Sequence, residues 1–249
     1  MDRIVYTAMS GAARVLEQQS VISNNLANVS TAGFREQLSV YRSVPLVASD
    51  SSPTRVTTVA STPSSNFNQG GMLQTGRALD VAITGQGWFS VQTPAGEAYT
   101  RAGELSVNGR GLLVNPQGLP VLSASGAPVA VPDRGTLMFG ADGAISVLGA
   151  GSDPKGLEEI GQLKLVNPSP ASLVRGDDGL FRVAQGQPAV RADPSVRMVS
   201  GFVEKSNVSA AQAMVGMISN ARHFEMQMKV IQDASTNEDK GNSILSLNG

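Results

Sequence analysis

The sequence predicts an α+β protein in which an N-terminal and a C-terminal helix flank a central all-β domain of barrel-like or sandwich-like form. Near both ends of the chain, apolar residues recur at alternating spacings of four and three, which is the period of a coiled-coil helix. Between the ends, short alternating runs are separated by glycine and proline turns, as in a compact β domain. The 249-residue chain therefore divides into an N-terminal helix with its terminator (residues 1–35), a linker (36–71), a β domain (72–200) and a C-terminal helix (201–249).

The N-terminal helix is predicted to run from Ile4 to about Val29, because one set of positions forms a narrow stripe along it. Gln18 and Asn25 fall in the same stripe, so the stripe is not uniformly apolar. Gly33 follows the helix and can adopt the left-handed conformation that commonly ends one. The remaining members of the stripe are Ala8, Gly11, Val15 and Ile22.

The segment from Ser43 to Gly71 is rich in serine and threonine, with Pro45, Pro53 and Pro63 between them. Such a composition buries little apolar surface, so the segment alone is expected to be extended or disordered. We interpret it as a linker, or as a strap that becomes ordered on a partner.

The middle of the chain is predicted to form strands. Residues 79–83 alternate between apolar and polar or small side chains, as in a half-buried strand. Trp88 to Val91 form a second such run, and the dipeptide Asn108-Gly109 is typical of a hairpin turn. Turn signals recur about every 8–12 residues, which favours a barrel or a sandwich.

The C-terminal helix is predicted to begin after a cap at Asn207 or Ser209. A second stripe with four-three spacing then follows. Its members are Ala210, Met214, Met217, Ala221, Phe224, Met228 and Ile231.

Two arrangements of these helices follow from the spacing. The stripes can pair with each other inside one chain, which gives a monomeric binding module with a two-helix stalk. Alternatively, they can join a helical layer shared with neighbouring copies. Gly11, Gln18 and Asn25 in one stripe, and several methionines in the other, weaken a lone helix pair. They suit close, registered packing among several helices, and the sequence therefore favours assembly.

Composition excludes several classes of function. A net charge of −1 without a basic run argues against a nucleic-acid partner. No apolar run approaches the roughly 18 residues of a membrane span, so membrane insertion is not expected. The absence of cysteine removes disulfides and thiol catalysis. Residues 1–5 lack the features of a cleaved secretory signal, so any export is expected to proceed without one.

Residues with catalytic or metal-binding potential are few, and we predict neither enzymatic activity nor a cofactor. His223 is the only histidine, which excludes a multi-histidine metal site. Because Arg222 and Glu225 flank it on the predicted helix, we expect it to be a surface or interface residue and not the base of a Ser-His-Asp triad. Ser152 and Lys155 have the Ser-x-x-Lys spacing, but they lie in a glycine-rich turn. The alternative is a hydrolase that uses Ser152 and Lys155. Labelling of Ser152 by a serine-reactive probe would support it. The run Asp177-Asp178-Gly179 is more typical of a hairpin turn than of a calcium site.

The segment from Ser23 to Arg35, with sequence Ser-Asn-Asn-Leu-Ala-Asn-Val-Ser-Thr-Ala-Gly-Phe-Arg, resembles the signature of flagellar basal-body rod and hook proteins. The resemblance covers nearly the whole chain. Residues 79–103 are similar to the strand pattern of the family's outer domain, residues 178–181 to a later turn, and residues 201–208 and 217–225 to its C-terminal pattern. Ser30 to Arg35 depart from the usual distal-rod sequence, which favours a proximal rod subunit over a distal one.

The resemblance implies that the terminal helices form an inner coiled-coil layer, with the β domain outside. It also implies partners: copies of the chain itself, the neighbouring proximal and distal rod proteins, and the flagellar type III export apparatus. The location would be the periplasmic rod of the basal body. The predicted assembly interface consists of Ile4, Ala8, Gly11, Val15, Ile22, Asn24, Asn25, Leu26, Asn28, Gly33, Phe34, Met214, Met217, Ala221, Phe224, Met228 and Ile231.

Overall fold

A computed structural model describes residues 2–39, 41–45, 56–60, 64–132, 135–148, 157–184 and 189–246. Two long helices lie at the ends of the chain, α1 (Asp2–Ala27) and α2 (Ala210–Ser246), and the strands lie between them. The α+β class with a helix at each end is therefore confirmed. In the described residues the strands are β1 (Gln37–Leu38), β2 (Tyr41–Pro45), β3 (Val56–Ala60), β4 (Ser64–Ser65), β5 (Met72–Gln74), β6 (Val81–Thr84), β7 (Trp88–Thr93), β8 (Gly96–Thr100), β9 (Ser106–Val107), β10 (Leu113–Val114), β11 (Thr136–Phe139), β12 (Ala144–Leu148), β13 (Leu157–Gln162), β14 (Leu165–Val166), β15 (Leu173–Arg175), β16 (Phe181–Val183), β17 (Arg197–Ser200) and β18 (Phe202–Glu204).

The chain forms two compact units. The helical unit comprises Met1–Asn28, Glu36–Asn66 and Val208–Gly249, and the β unit comprises Val29–Arg35 and Phe67–Asn207. Each unit is thus built from segments that are distant in sequence.

In the helical unit, α1 and α2 pack against each other in antiparallel register. The Cδ1 of Ile22 lies beside Gly216, and the side-chain amide of Gln227 lies beside Gly11. From Ile22 to Gly11 the contacts move eleven residues toward the start of α1, and from Gly216 to Gln227 they move eleven residues toward the end of α2. The two helices are therefore antiparallel. Ser209 caps the start of α2, since its Oγ accepts a hydrogen bond from the Gln212 N–H at 3.4 Å.

The packed seam of α2 differs from the predicted stripe at alternate positions. Met217, Phe224 and Ile231 are partly buried as predicted, but Met214, Ala221 and Met228 are exposed. The reason is that α2 carries apolar residues on two adjacent faces, and four-three spacing fits both. The packed seam consists of Ala213, Gly216, Met217, Asn220, Phe224, Gln227, Ile231 and Ala234.

Within the stretch predicted to be a linker, residues 41–45 pair with residues 56–60. The ladder of β2 and β3 is antiparallel and runs from the pair Tyr41–Ala60 to the pair Pro45–Val56. A second short ladder joins β1 to β4. Pro53 and Pro63 lie outside the described residues.

The β unit contains several small antiparallel sheets around one core. The largest has the strand order β14-β7-β8-β16-β15, and a second has the order β11-β12-β13. Pairs β5–β18, β6–β17 and β9–β10 complete the described strands of this unit. No described sheet returns on itself, so the predicted barrel is not closed. The fully buried residues of the core include Val81, Ile83, Val91, Leu105, Leu113, Val121 and Ile145.

Among the described residues, neither α1 nor α2 is sufficiently long and apolar to cross a membrane.

Candidate assembly interface

The signature segment begins at the end of α1, where two asparagines make contacts within the helical unit. Asn28 donates from its side-chain amide to the Asn24 carbonyl at 2.9 Å, which caps the last turn of the helix. Asn25 is buried and forms two hydrogen bonds with one residue. Its Nδ2 donates to the Gln37 carbonyl at 2.9 Å, and its Oδ1 accepts from the Gln37 N–H at 2.8 Å. Asn25 thereby aligns the start of β1 with the helix.

Replacing Asn25 by alanine is expected to destabilise the helical unit by about 1–3 kcal/mol, because two partly buried main-chain groups of Gln37 lose their partners. Asn24→Ala is the matched control, since the Asn24 side chain is exposed one residue earlier on the same helix. Thermal unfolding followed by circular dichroism at 222 nm measures both variants. Equal melting temperatures for the two variants would contradict the role assigned to Asn25.

After α1 the signature passes into the β unit through a tight turn at Gly33. Gly33 has φ +69°, a conformation that side chains other than glycine rarely adopt. A Cβ at this position would overlap the main chain of Arg101 and Ala102. The Gly33 N–H donates to the Glu204 carbonyl at 2.7 Å. Glycine is therefore required here for its conformation and for the close approach of two backbones.

Phe34 is the aromatic anchor of the turn. Its side chain is buried, and the guanidinium carbon of Arg175 lies 4.4 Å from the centre of its ring. The Nη1 of Arg175 also donates to the Arg35 carbonyl at 2.6 Å. Burial lowers the pKa of Arg175, because desolvation disfavours its charged form. The stacking of a cation on an aromatic ring offsets part of that cost.

Arg35 ends the signature in a buried cluster of three charged side chains. Its Nη1 donates to Glu204 Oε1 at 2.5 Å and to the Asn68 carbonyl at 2.8 Å. Arg101 donates from Nη1 to the other carboxylate oxygen of Glu204 at 2.9 Å. The Arg35 and Glu204 side chains are 0% exposed, and that of Arg101 is 4% exposed. One carboxylate thus holds together segments from the N-terminal, central and C-terminal parts of the chain.

The cluster carries two positive charges and one negative charge. The pKa of Arg101 is lowered to about 10, chiefly because burial disfavours the charged guanidinium, while Glu204 raises it and Arg35 lowers it further. Within the described part of the chain, Nε and Nη2 of Arg35 and Nε of Arg101 have no hydrogen-bond partner. Both guanidiniums lie near the ring of Trp88, at 5.8 and 5.6 Å from its centre. Attraction between the two guanidiniums and the Trp88 ring therefore offsets part of the cost of the missing hydrogen bonds.

Sequence patterning identifies Arg35 only as the end of the signature and does not single out Arg101 or Glu204. All three residues belong to motifs that resemble the family, but residues 35 and 204 are 169 positions apart. No local pattern links charges at that separation.

Each terminal helix also presents apolar side chains on a face away from the packed seam. On α1 this outer stripe consists of Tyr6, Met9, Ala13 and Leu16, and on α2 of Met214, Ile218, Ala221 and Met228. Tyr6 is 73% exposed and Ile218 is 56% exposed. The α1 stripe has spacings of three and four, and the α2 stripe has spacings of four, three and seven, so each stripe follows one helix face. Large apolar side chains concentrated on a surface mark an interaction site.

The predicted interface residues fall into three groups in the structure. Asn25, Gly33 and Phe34 make the contacts within one unit that are described above, and Asn28 caps α1. The second group lies on the buried side of the helices. Ala8 is buried, and Gly11, Val15, Ile22, Leu26, Met217, Phe224 and Ile231 are partly buried. Ile4, Asn24, Met214, Ala221 and Met228 are exposed. Contact of any of them with a neighbouring subunit stays a prediction.

The residues considered for catalysis or metal binding that the structure describes lie on separate elements. His223 is exposed on α2. Asp178 forms an ion pair with Arg182, and the hydrogen bond from Arg182 is the main cause that lowers the Asp178 pKa. Ser152 and Lys155 lie outside the described residues. In the described ranges, histidine and acidic side chains form no group that could hold a metal ion.

Comparison with protein families places these features in one class. A model described as "Flagella basal body rod protein" matches residues 5–35, which include the signature. The model "Flagellar hook protein FlgE/F/G D1 domain" matches residues 82–147, and "Flagellar basal body rod FlgEFG protein C-terminal" matches residues 199–244. The chain belongs to the family of flagellar basal-body rod proteins.

Within that family the full-length similarity is to FlgF. The chain is 46% identical to the flagellar basal-body rod protein FlgF of Escherichia coli (strain K12), over 99% of this chain and 100% of that protein. It is 45% identical to FlgF of Salmonella typhimurium, with the same coverage. Identity to the flagellar basal-body rod protein FlgG of Bacillus subtilis is 29%, over 93% of this chain and 94% of that protein.

Proposed function

We propose that this chain is a structural subunit of the flagellar basal-body rod, of the FlgF kind, and that it acts by assembling rather than by catalysis. The observation that carries the proposal is the full-length similarity to FlgF proteins, at 46% identity to the one from Escherichia coli. Identity to a FlgG protein is lower, at 29%. A position in the proximal part of the rod is therefore favoured over a distal one.

The outer stripes of α1 and α2 are the surfaces through which the subunit assembles. An apolar stripe with coiled-coil spacing is stabilised by burial against another such stripe. The packed seam between α1 and α2 already uses one face of each helix, so the outer stripes remain available to neighbouring subunits. The terminal helices then form an inner coiled-coil layer built from several chains, and this layer transmits torque along the rod.

Copies of this chain and the adjoining rod proteins are the partners on this proposal. The chain reaches the periplasm through the flagellar type III export apparatus. A subunit that passes through such an apparatus unfolded must regain its structure at the growing end of the rod.

Deletion of the gene in the bacterium that encodes this chain tests the rod function. Loss of swimming, with no hook on the isolated basal bodies, is expected, and the wild-type gene restores both. Imaging of purified basal bodies with this chain labelled locates the subunit along the rod. Normal swimming and intact hooks in the complete deletion strain would overturn the proposal.

The outer stripe of α2 is tested by Ile218→Asp, which places a charge in the centre of an apolar surface. Because Ile218 is exposed in the monomer, the variant is expected to keep its fold and melting temperature. It is expected to reduce incorporation into basal bodies by at least tenfold, since burying an unpaired carboxylate between subunits is costly. Immunoblots of purified basal bodies measure the incorporation.

Ser219→Asp is the matched control, because it adds the same side chain at an exposed position one residue further along α2. We expect this variant to assemble normally. Normal incorporation of the Ile218→Asp variant would show that the outer stripe of α2 does not contact a neighbour.

A further inference from the structure

We propose that residues 197–207 are a closing segment, without which the β unit does not hold its fold. They supply the last two strands of the unit, β17 and β18. β17 pairs with β6 over all four residues, from Arg197–Thr84 to Ser200–Val81. β18 pairs with β5 from Phe202–Gln74 to Glu204–Met72. The earliest strands of the β unit therefore obtain these partners only from its C-terminal end.

The charged cluster makes the stability of the β unit strongly dependent on the closing segment. Without Glu204, Arg35 and Arg101 would be two nearly buried cations without a carboxylate partner. Removing one partner from a buried ion pair is far more costly than forming the pair is favourable. The β unit therefore opens around the arginines unless Glu204 is in place.

Main-chain hydrogen bonds attach the closing segment to several separate parts of the β unit. Gly201 N–H donates to the Asp80 carbonyl at 2.7 Å, and Lys205 N–H donates to the Gly71 carbonyl at 2.8 Å. Met198 N–H donates to the Ala141 carbonyl at 2.9 Å. Gly70 lies against the Lys205 carbonyl so closely that a Cβ on Gly70 would overlap it. The segment thus contributes to the interior of the unit rather than lying on its surface.

This arrangement determines when the chain can fold. A chain that is made or moved from its N-terminus contains the other strands of the β unit before Glu204 is present. It remains without a stable β unit until residues 197–207, at the start of the last fifth of the sequence, are available. This order of folding does not depend on the rod function, because it involves contacts within the β unit and not the surfaces of assembly.

Hydrogen exchange of the full-length wild-type protein at low urea concentrations tests the proposal. The amides of Gly201 and Lys205 report on the closing segment, and those of Leu113 and Leu163 report on the core. Both sets are expected to exchange through the same opening, with the same urea dependence. Exchange of the segment amides through a smaller opening, while the core amides stay protected, would overturn the proposal.

Val203→Ala provides a second test with a variant that is expected to fold. Val203 is buried in β18, and the truncation is expected to lower protection of both sets of amides by the same factor, on the order of tenfold to a hundredfold. The control Val174→Ala truncates an exposed residue of the edge strand β15 and is expected to leave both sets unchanged. A loss of protection confined to the segment amides would contradict the inference.

Discussion

Gly33→Ala is expected to destabilise the β unit by about 2–5 kcal/mol. Two separate costs add at this position. An alanine at φ +69° adopts a left-handed conformation that costs about 1–2 kcal/mol. Its Cβ also overlaps the main chain of Arg101 and Ala102, and displacing a packed backbone costs about 1–3 kcal/mol more. The measurement is urea unfolding followed by the fluorescence of Trp88, the only tryptophan and a member of the β unit.

Two further glycines separate these costs. Gly76 has φ +72°, but a Cβ there meets nothing within 4 Å, so Gly76→Ala is expected to cost only the conformational part, about 1–2 kcal/mol. Gly71 has neither a left-handed backbone nor a neighbour within 4 Å, and Gly71→Ala is expected to lie within about 0.5 kcal/mol of the wild type. Equal effects at Gly33 and Gly76 would show that the approach of the Arg101 backbone is not tight.

Glu204→Gln is expected to lower the free energy of unfolding of the β unit by about 3–5 kcal/mol. The substitution keeps the size of the side chain but leaves two nearly buried guanidiniums beside a neutral amide. Because Trp88 lies near both guanidiniums, its fluorescence is expected to change in the native state as well as in the unfolding transition. Urea unfolding at constant ionic strength measures the effect.

Asp178→Asn is the matched control in the same unit. Asp178 pairs with Arg182, and the two side chains are 42% and 28% exposed, so solvent reaches both partners. The expected loss is about 1 kcal/mol or less. A similar loss for the two variants would mean that Glu204 contributes no more than an ordinary partly exposed ion pair.

Local patterns predict the helices and many of the strands, because they depend on residues close in sequence. The predicted strand over residues 79–83 is β6 with a shift of two residues at its start, and the run from Trp88 to Val91 lies within β7. The hairpin of β2 and β3 shows what overall composition leaves out. Its strands contain valine and threonine, which favour strands, although the surrounding serines and prolines indicate a linker.

Long-range features could not be predicted in the same way. The packed seam of α2 depends on which of its two apolar faces meets α1. Both faces have residues at four-three spacing, so the spacing alone does not decide between them. The cluster of Arg35, Arg101 and Glu204 depends on contacts across 169 and 103 residues. The topology of the open sheets decides these contacts, and single-sequence patterns carry no information about it. The turn spacing predicts a barrel or a sandwich, whereas the described strands form several separate ladders and no closed barrel.

The division of the chain into two units has a mechanical consequence. The backbone crosses from one unit to the other four times, after Asn28, Arg35, Asn66 and Asn207. A twisting force applied to one unit is therefore shared by four covalent connections rather than one. A single connection would act as a swivel, since rotation about its backbone bonds is nearly free, whereas four connections resist rotation together. Such a subunit has torsional stiffness in its covalent structure, before any contact with a neighbour forms.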